Sequence, residues 1–236
     1  MNPRLQPTID SEEIAIVLIG DFNPMIFQPA WFALEGLIRR SEAEEADIEI
    51  MHHDIASFRL DWVSVDILAE RFSARIRSSA FRVSLRDLIV GTFSTLRHTP
   101  TKQLGINLTK RLRFATDAEW HNFGHYLAPK SPWKDLLKQP GMRGIHVQGS
   151  RSDGAPGYVL VSAEPDRPGF VSLRVNDHFE LPKDAELDGA AATRYFVEKI
   201  ESDFEQSLQR AEQLIQGLIT GFLAQEHFDD GTHKRR

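Results

Sequence analysis

The stretch VSVDILAERFSARI, residues 63–76, alternates large apolar and polar side chains twice, and a different spacing follows it. A period of two is typical of strands with one buried face, so we predict strands over 63–67 and 72–76 and another over 48–52. Ser84 is a candidate N-cap, and helical spacing follows it, with Leu85, Leu88, Ile89, Thr92, Phe93 and Leu96 on one face. The region therefore predicts a three-stranded antiparallel meander followed by an amphipathic helix.

The last third of the chain repeats this order. Strands are predicted at 145–147, 158–163 and 171–175, and an apolar stripe from Phe196 to Phe222 predicts a helix of roughly 45 Å. Since that exceeds the width of one sheet, we expect the helix to bend near Gly217 and Gly221 or to pack its end on a partner chain. The order strand-strand-strand-helix thus occurs around residues 48–97 and again around 143–223.

The remaining segments complete the predicted domain. The continuous apolar run 14–19 predicts a strand covered on both faces, and residues 104–114 predict a long strand of period two. Thr116 and Glu119 form a capping box at the start of a helix, and Ser131 precedes a second, short helix. We predict one α+β domain over 1–226, built of two similar halves (about 14–115 and 116–226) with antiparallel sheet and a long C-terminal amphipathic helix. Residues 227–236 are predicted to be a disordered tail.

Composition narrows the class of protein. The 236 residues carry a net charge of −6, with 41% hydrophobic and 26% charged residues, as in ordinary globular proteins. The absence of cysteine excludes disulfides, thiolate metal sites and cysteine nucleophiles. The N-terminus does not resemble a signal peptide, and no apolar run is long enough to cross a bilayer. We therefore expect a cytoplasmic protein with no membrane partner.

His121 and His125 lie one helical turn apart and share a helix face. Two imidazoles at this spacing can bind zinc if other parts of the chain supply further ligands. With Asp54 or Asp177 as the base, they would form a metal-dependent hydrolase. The alternative, which we favour, is that both histidines border the buried stripe of the helix; we predict no cofactor and no catalytic residues.

Asp177 occupies an unusual position in the pattern. Continued alternation after Val175 places its carboxylate on the apolar face, where it needs hydrogen-bond donors or must be neutralised. It would then be a candidate functional acid. The alternative is that the strand ends near Val175 and that Asp177 begins a loop.

Arg111 and Arg113 lie on the polar face of the strand after Lys102, where guanidinium groups suit phosphate. The alternative is a solvated edge strand protected by its charges. Since no aromatic residue is interleaved with these arginines, base stacking has no evident platform and nucleic-acid binding is the less favoured prediction.

The densest apolar segment is irregular and interrupted by prolines. Its large side chains either fill a core or cover a partner protein. As candidate partner-binding residues we take Phe22, Met25, Phe27, Trp31 and Phe32.

Several phrases of the sequence resemble those of a sporadically distributed bacterial family of uncharacterised proteins. They are FNP (22–24) with PAW (29–31), HTP (98–100) with LGIN (104–107), WH (120–121) with GH (124–125), and VNDHF (175–179). The resemblance spans most of the chain and implies a bacterial cytosolic origin, but no catalytic residues. The meander followed by a long helix is also similar in layout to the SecB-type export chaperones and their toxin–antitoxin relatives.

These observations favour a non-catalytic protein-binding or scaffold protein: an adaptor, an antitoxin-like or chaperone-like subunit, or an accessory of a defence or toxin–antitoxin system. We expect it to bind a protein partner or to form a homodimer, through the apolar N-terminal segment or the C-terminal helix. The alternatives are the hydrolase with His121 and His125 and a nucleic-acid-binding protein with Arg111 and Arg113.

Overall fold

The computed structural model describes residues 5–182, 187 and 189–225. It contains one nine-stranded antiparallel sheet with the strand order β2-β3-β4-β5-β1-β6-β9-β8-β7. In chain order, the strands are β1 (Thr8–Gly20), β2 (Asp47–His52), β3 (Ile55–Arg59), β4 (Ser64–Leu68), β5 (Arg71–Ile76), β6 (Thr101–Arg113), β7 (Ile145–Ser150), β8 (Gly157–Pro165) and β9 (Phe170–Glu180). The predicted tail, 227–236, lies outside the described residues.

Five α-helices accompany the sheet in the described part of the chain. They are α1 (Pro29–Leu34), α2 (Arg40–Glu44), α3 (Arg82–Thr95), α4 (Asp117–Leu127) and α5 (Gly189–Ala224). The mixed α/β class, the antiparallel sheet and the long C-terminal helix are thus confirmed, although strands dominate the fold. Within the described residues, no helix combines the length and apolarity that a membrane span requires.

Strands β1 and β6 form the middle of the sheet. They pair antiparallel, with Ile14 opposite Leu108 and Ile16 opposite Ile106, and all four side chains are buried. The intervening residues Ala15 and Val17 are only half-buried. The prediction that β1 is covered on both faces is therefore wrong: one face packs against helices, while the other remains partly open.

Helices α3 and α5 cover the buried face of the sheet and pack against each other. The 36 residues of α5 form one helix that runs through Gly217 and Gly221, about 54 Å at 1.5 Å per residue. Its end packs within the chain, because the fully buried Phe222 ring lies 5.1 Å from Phe123 of α4. At Gly221 the two helices approach so closely that a Cβ atom would lie 2.4 Å from the Tyr126 hydroxyl oxygen. The helix is thus continuous at both glycines, and its end packs on α4 of the same chain.

The local predictions were correct for most elements and wrong for a few. The meander has four strands rather than three, because β3 was missed, and α3 begins at Arg82, before the predicted cap Ser84. Half of the predicted capping box at α4 forms: the Thr116 hydroxyl accepts a hydrogen bond from the Glu119 amide at 3.2 Å, whereas the Glu119 carboxylate accepts one from the Leu5 amide. No helix follows Ser131, where the chain forms turns instead.

Candidate functional site

The apolar N-terminal segment is mainly a core element. Phe22, Phe27 and Phe32 are 4%, 1% and 1% exposed, and the Phe27 ring lies 5.4 Å from that of Phe72 on β5. Such rings are fixed by burial and by edge contacts with one another. This corrects the expectation that these three residues bind a partner, since they are covered by the chain itself. Of the five candidates, only Met25 is exposed, and Trp31 is partly buried.

A different apolar segment lies at the surface, between α4 and β7. Trp133 is 50% exposed, Leu136 74% and Leu137 53%. Their backbone is ordered by turns, because the amide groups of Leu136 and Leu137 both donate to the Trp133 carbonyl, at 3.0 and 2.8 Å. Large apolar side chains held at a surface in this way are typical of sites that contact another protein. We call residues 133–137 the apolar turn.

The two edges of the sheet differ in how they are protected. The edge strand β2 carries Asp47 and Glu49, both paired with Arg59, and its register with β3 shifts between Ile48 and Ile50. Charges and bulges are the usual means of preventing unwanted strand pairing. The opposite edge, β7, has the sequence IHVQGS, with no acid, lysine, arginine or proline and no register shift against β8. Five of its six residues are exposed.

Asp177 lies at the centre of a buried charge cluster. Strand β9 continues beyond Val175 to Glu180, so the alternation holds and Asp177 points to the helix-covered face with 1% exposure. The alternative prediction of a loop at Asp177 is therefore wrong. Its two carboxylate oxygens accept hydrogen bonds from Arg151, in the β7–β8 connection, and from Arg210 of α5. Each side chain needs the others, because an unpaired charge at this depth would be strongly destabilising.

Asp153 completes this cluster, which consists of Arg151, Asp153, Asp177 and Arg210. It binds Arg151 through two nitrogens, at 3.0 and 2.6 Å, and Arg210 at 3.1 Å. The hydrogen bond from Arg151 is the main reason that the pKa of the Asp153 carboxyl lies far below its usual range. The Arg151 guanidinium also stacks on Phe179, 3.7 Å from the ring centroid. Two acids and two bases thus satisfy one another and tie α5 to β9 and to the hairpin of β7 and β8.

His178 follows Asp177 on the other face of the sheet. It is 7% exposed and stacks on Tyr158, with ring centroids 4.4 Å apart. Burial lowers the pKa of its imidazole, Arg151 lowers it further, and Glu180 and Asp177 oppose the shift. A shallow cleft of about 110 Å³ lies elsewhere on the sheet, lined by Asp66, Leu68, Arg71, Ser73 and Arg75. Its volume is well below the roughly 300–1,000 Å³ of typical small-molecule sites.

The predicted metal ligands His121 and His125 both lie on α4, where His121 is exposed and His125 is half-buried. In the part of the chain that the structure describes, no third ligating side chain joins them. Among the described residues, potential ligands converge instead at the exposed turn between β2 and β3. The donor atoms of His52, His53 and Asp54 lie within 4.8 Å of one another there. Asp54 thus groups with His52 and His53, and Asp177 is bound by Arg151 and Arg210, so neither of the acids named for the hydrolase forms a ligand group with the α4 histidines.

Arg111 and Arg113 lie next to an aromatic side chain that the sequence pattern did not indicate. Phe170 of β9 pairs with Arg113, and its ring centroid lies 5.1 Å from the Arg111 guanidinium and 4.0 Å from that of Arg167. Arg111 is neutralised by Asp166 at 2.6 Å. Arg113 and Arg167 are exposed, so they give this corner of the sheet a positive character.

The sequence did not indicate two features that bear on the binding of another protein: the apolar turn, and the β7 edge without acidic, lysine or arginine side chains. The signal for the apolar turn was Trp133 followed by Leu136 and Leu137 in an otherwise polar segment between Pro132 and Pro140. In comparisons with known proteins, no protein-family model matches the chain, and no curated protein matches it significantly.

Proposed function

We propose that this protein is a non-catalytic protein-binding or scaffold protein, and that its apolar turn contacts the partner. The observation that carries the proposal is the exposure of Trp133, Leu136 and Leu137, each at least half exposed in an ordered turn. Complete burial of a fully exposed side chain of this kind contributes about 1.5–3 kcal/mol. Because these three are 50%, 74% and 53% exposed, each would contribute roughly half to three quarters of that amount at an interface. An adaptor, an antitoxin-like subunit or a chaperone-like subunit would use such a surface in the same way.

The chemistry of the charged groups supports a binding role rather than a catalytic one. The most deeply buried ionisable groups, Asp177 and Arg151, are engaged with each other. Lys110, 7% exposed, is likewise paired with Glu12 and Glu212. A catalytic group needs a free atom beside a space for substrate, and these groups stabilise the fold instead.

We also propose that the domain consists of two similar halves. In support, β1 pairs with β5, the last strand of the first meander, and β6 pairs with β9, the last strand of the second. A helix that covers the buried face follows each meander, α3 in the first case and α5 in the second. This correspondence favours a boundary near residue 100 rather than 115, because β6 then begins the second half as β1 begins the first.

Affinity capture with a matched pair of variants tests the proposed binding role. We expect a partner recovered from the native host with the wild-type chain to be lost with Trp133→Ser/Leu136→Ser. The control is Leu34→Ser, which removes a side chain that is 82% exposed on α1. Retention of the same partner by the Trp133→Ser/Leu136→Ser variant, or equal loss with the control, would contradict the role of the apolar turn.

One observation favours a second candidate, an anionic partner at the corner formed by Arg113, Arg167 and Phe170. Two exposed guanidinium groups beside an aromatic ring suit phosphate or an acidic peptide. Binding to a single-stranded oligonucleotide should then weaken steeply with salt and be lost in Arg113→Glu/Arg167→Glu. Contacts with phosphate are strongest at low salt, roughly 20–50 mM. Absence of binding in this range would exclude an anionic partner at this corner.

A further inference from the structure

We infer that β7 is a self-association edge, at which two copies of this chain pair their β7 strands antiparallel and so continue the sheet across the molecular two-fold axis. The inference deepens the proposed protein-binding role by naming one partner, a second copy of the chain. It does not involve the apolar turn, so each of the two can fail alone.

The first argument is the contrast between the two ends of one sheet. An edge strand presents a row of unpaired amide and carbonyl groups that only another extended strand can satisfy in full. At β2, the charges of Asp47 and Glu49 and a register shift disfavour pairing with another strand. At β7, His146 is the one titratable residue, and it is engaged with Ser162 at 2.9 Å within its own sheet.

The second argument is that β7 is complementary to itself in one register. Directly opposed residues of antiparallel strands point to the same face, so a two-fold axis perpendicular to the sheet must place one residue opposite its own copy. With Val147 on the axis, Ile145 faces Gly149 and His146 faces Gln148, so no like charges meet. This register also buries the Val147 side chain, 57% exposed in the single chain, against its counterpart.

The alternative register, with Gln148 on the axis, is less favourable. It leaves Ile145 beyond the paired strands and places an uncharged but polar side chain at the centre. Each register pairs five of the six β7 residues, but the Val147 register includes Ile145 in place of Ser150 and therefore buries more hydrocarbon. Because six residues a side cover less than the roughly 800 Å² per partner of a standard interface, we expect reversible association with a micromolar dissociation constant.

The absence of cysteine from the chain gives a direct test, since a single introduced thiol can react only with its copy. Val147→Cys should form a disulfide-linked dimer under mild oxidation of the native protein, and should do so at least tenfold faster than Ile48→Cys. Ile48, which is 53% exposed on the opposite edge, is a matched control for random collision. The double variant His146→Cys/Gln148→Cys should also cross-link, because these positions oppose each other across the axis.

Light scattering of the cysteine-free chain provides an independent measurement. The average mass should rise towards the dimer between about 10 and 500 µM, the range expected for micromolar association, and Val147→Lys should remain monomeric with an unchanged circular dichroism spectrum. A monomer at all concentrations, or cross-linking of Val147→Cys no faster than that of Ile48→Cys, would overturn the inference. Faster cross-linking through Gln148→Cys alone would overturn the proposed register.

Discussion

Replacement of Asp177 by asparagine tests most directly how the sheet and α5 are held together. The substitution keeps the size of the side chain but leaves Arg151 and Arg210 without their shared carboxylate. A hydrogen bond to a charged group contributes about 1.5–3 kcal/mol, and removal of one partner from a buried ion pair costs about 3–5 kcal/mol. Asp153 still contacts both arginines, so we expect a loss near the lower limit, about 3 kcal/mol.

Urea denaturation followed by circular dichroism measures this loss. For a slope of about 3 kcal/mol per molar urea, the midpoint should fall by about 1 M. The matched control is Asp66→Asn, the same substitution in a half-exposed pair with Arg75, where we expect at most about 1 kcal/mol. If Asp177→Asn costs less than about 1 kcal/mol, or no more than the control, the buried charge cluster does not stabilise the attachment of α5 to the sheet.

Three further perturbations follow from the same structure. Burial lowers the pKa of His178 below 6.5, so the imidazole takes up a proton in the unfolded chain before it does so in the folded one as the pH falls. The free energy of unfolding should therefore decrease below pH 6.5, by up to about 1.4 kcal/mol per pH unit. In His178→Gln, this part of the pH dependence of urea unfolding should disappear; an unchanged slope would contradict it. At Gly217 an added Cβ meets nothing within 4 Å, so Gly217→Ala should raise the free energy of unfolding by about 0.5–1 kcal/mol. Gly221→Ala must displace Tyr126 and should be about 1 kcal/mol less stable than Gly217→Ala. Equal melting temperatures of the two variants would refute the close approach of the helices. Phe222→Ala should cost about 3–5 kcal/mol by thermal unfolding, and a loss below about 1 kcal/mol would show that the end of α5 is not packed on α4.

Hydrophobic periodicity predicted the inner strands of the meanders well because one face of the sheet is buried there, whereas the edge strands β2 and β7 are largely exposed. The alternation of Val171, Leu173 and Val175 extends to Asp177, which is buried as its position requires. Strand β3 was missed for a local reason: its inward residues are Ala56 and Phe58, and one small side chain weakens a five-residue pattern. At β1, by contrast, the run 14–19 is apolar on both sides, and hydrophobicity alone does not tell which side carries a helical layer.

The sequence predicted that Asp177 needs donors, but not which residues supply them. Arg151 and Arg210 lie 26 and 33 positions away along the chain, on different elements, and nothing local distinguishes them from other arginines. The exposed apolar turn was missed because the local sequence signals at its start indicate a helix. Ser131 and Pro132 favour a helix start, but Trp133, Leu136 and Leu137 are exposed, so no buried apolar face stabilises a helix and the segment forms turns instead.

The connections that lead from the middle of the sheet to its two edges both bury aromatic rings, and the second also carries the apolar turn. In the first connection, between β1 and β2, Phe27 and Phe32 pack into a core of aromatic rings. In the second, between β6 and β7, Phe123 of α4 is fully buried against Phe222 of α5. The residues that follow α4 lie mostly at the surface, and Trp133 is among them. Because the same stretch of chain leads into β7, an edge strand without acidic, lysine or arginine side chains, we expect contacts with partners at this end of the sheet.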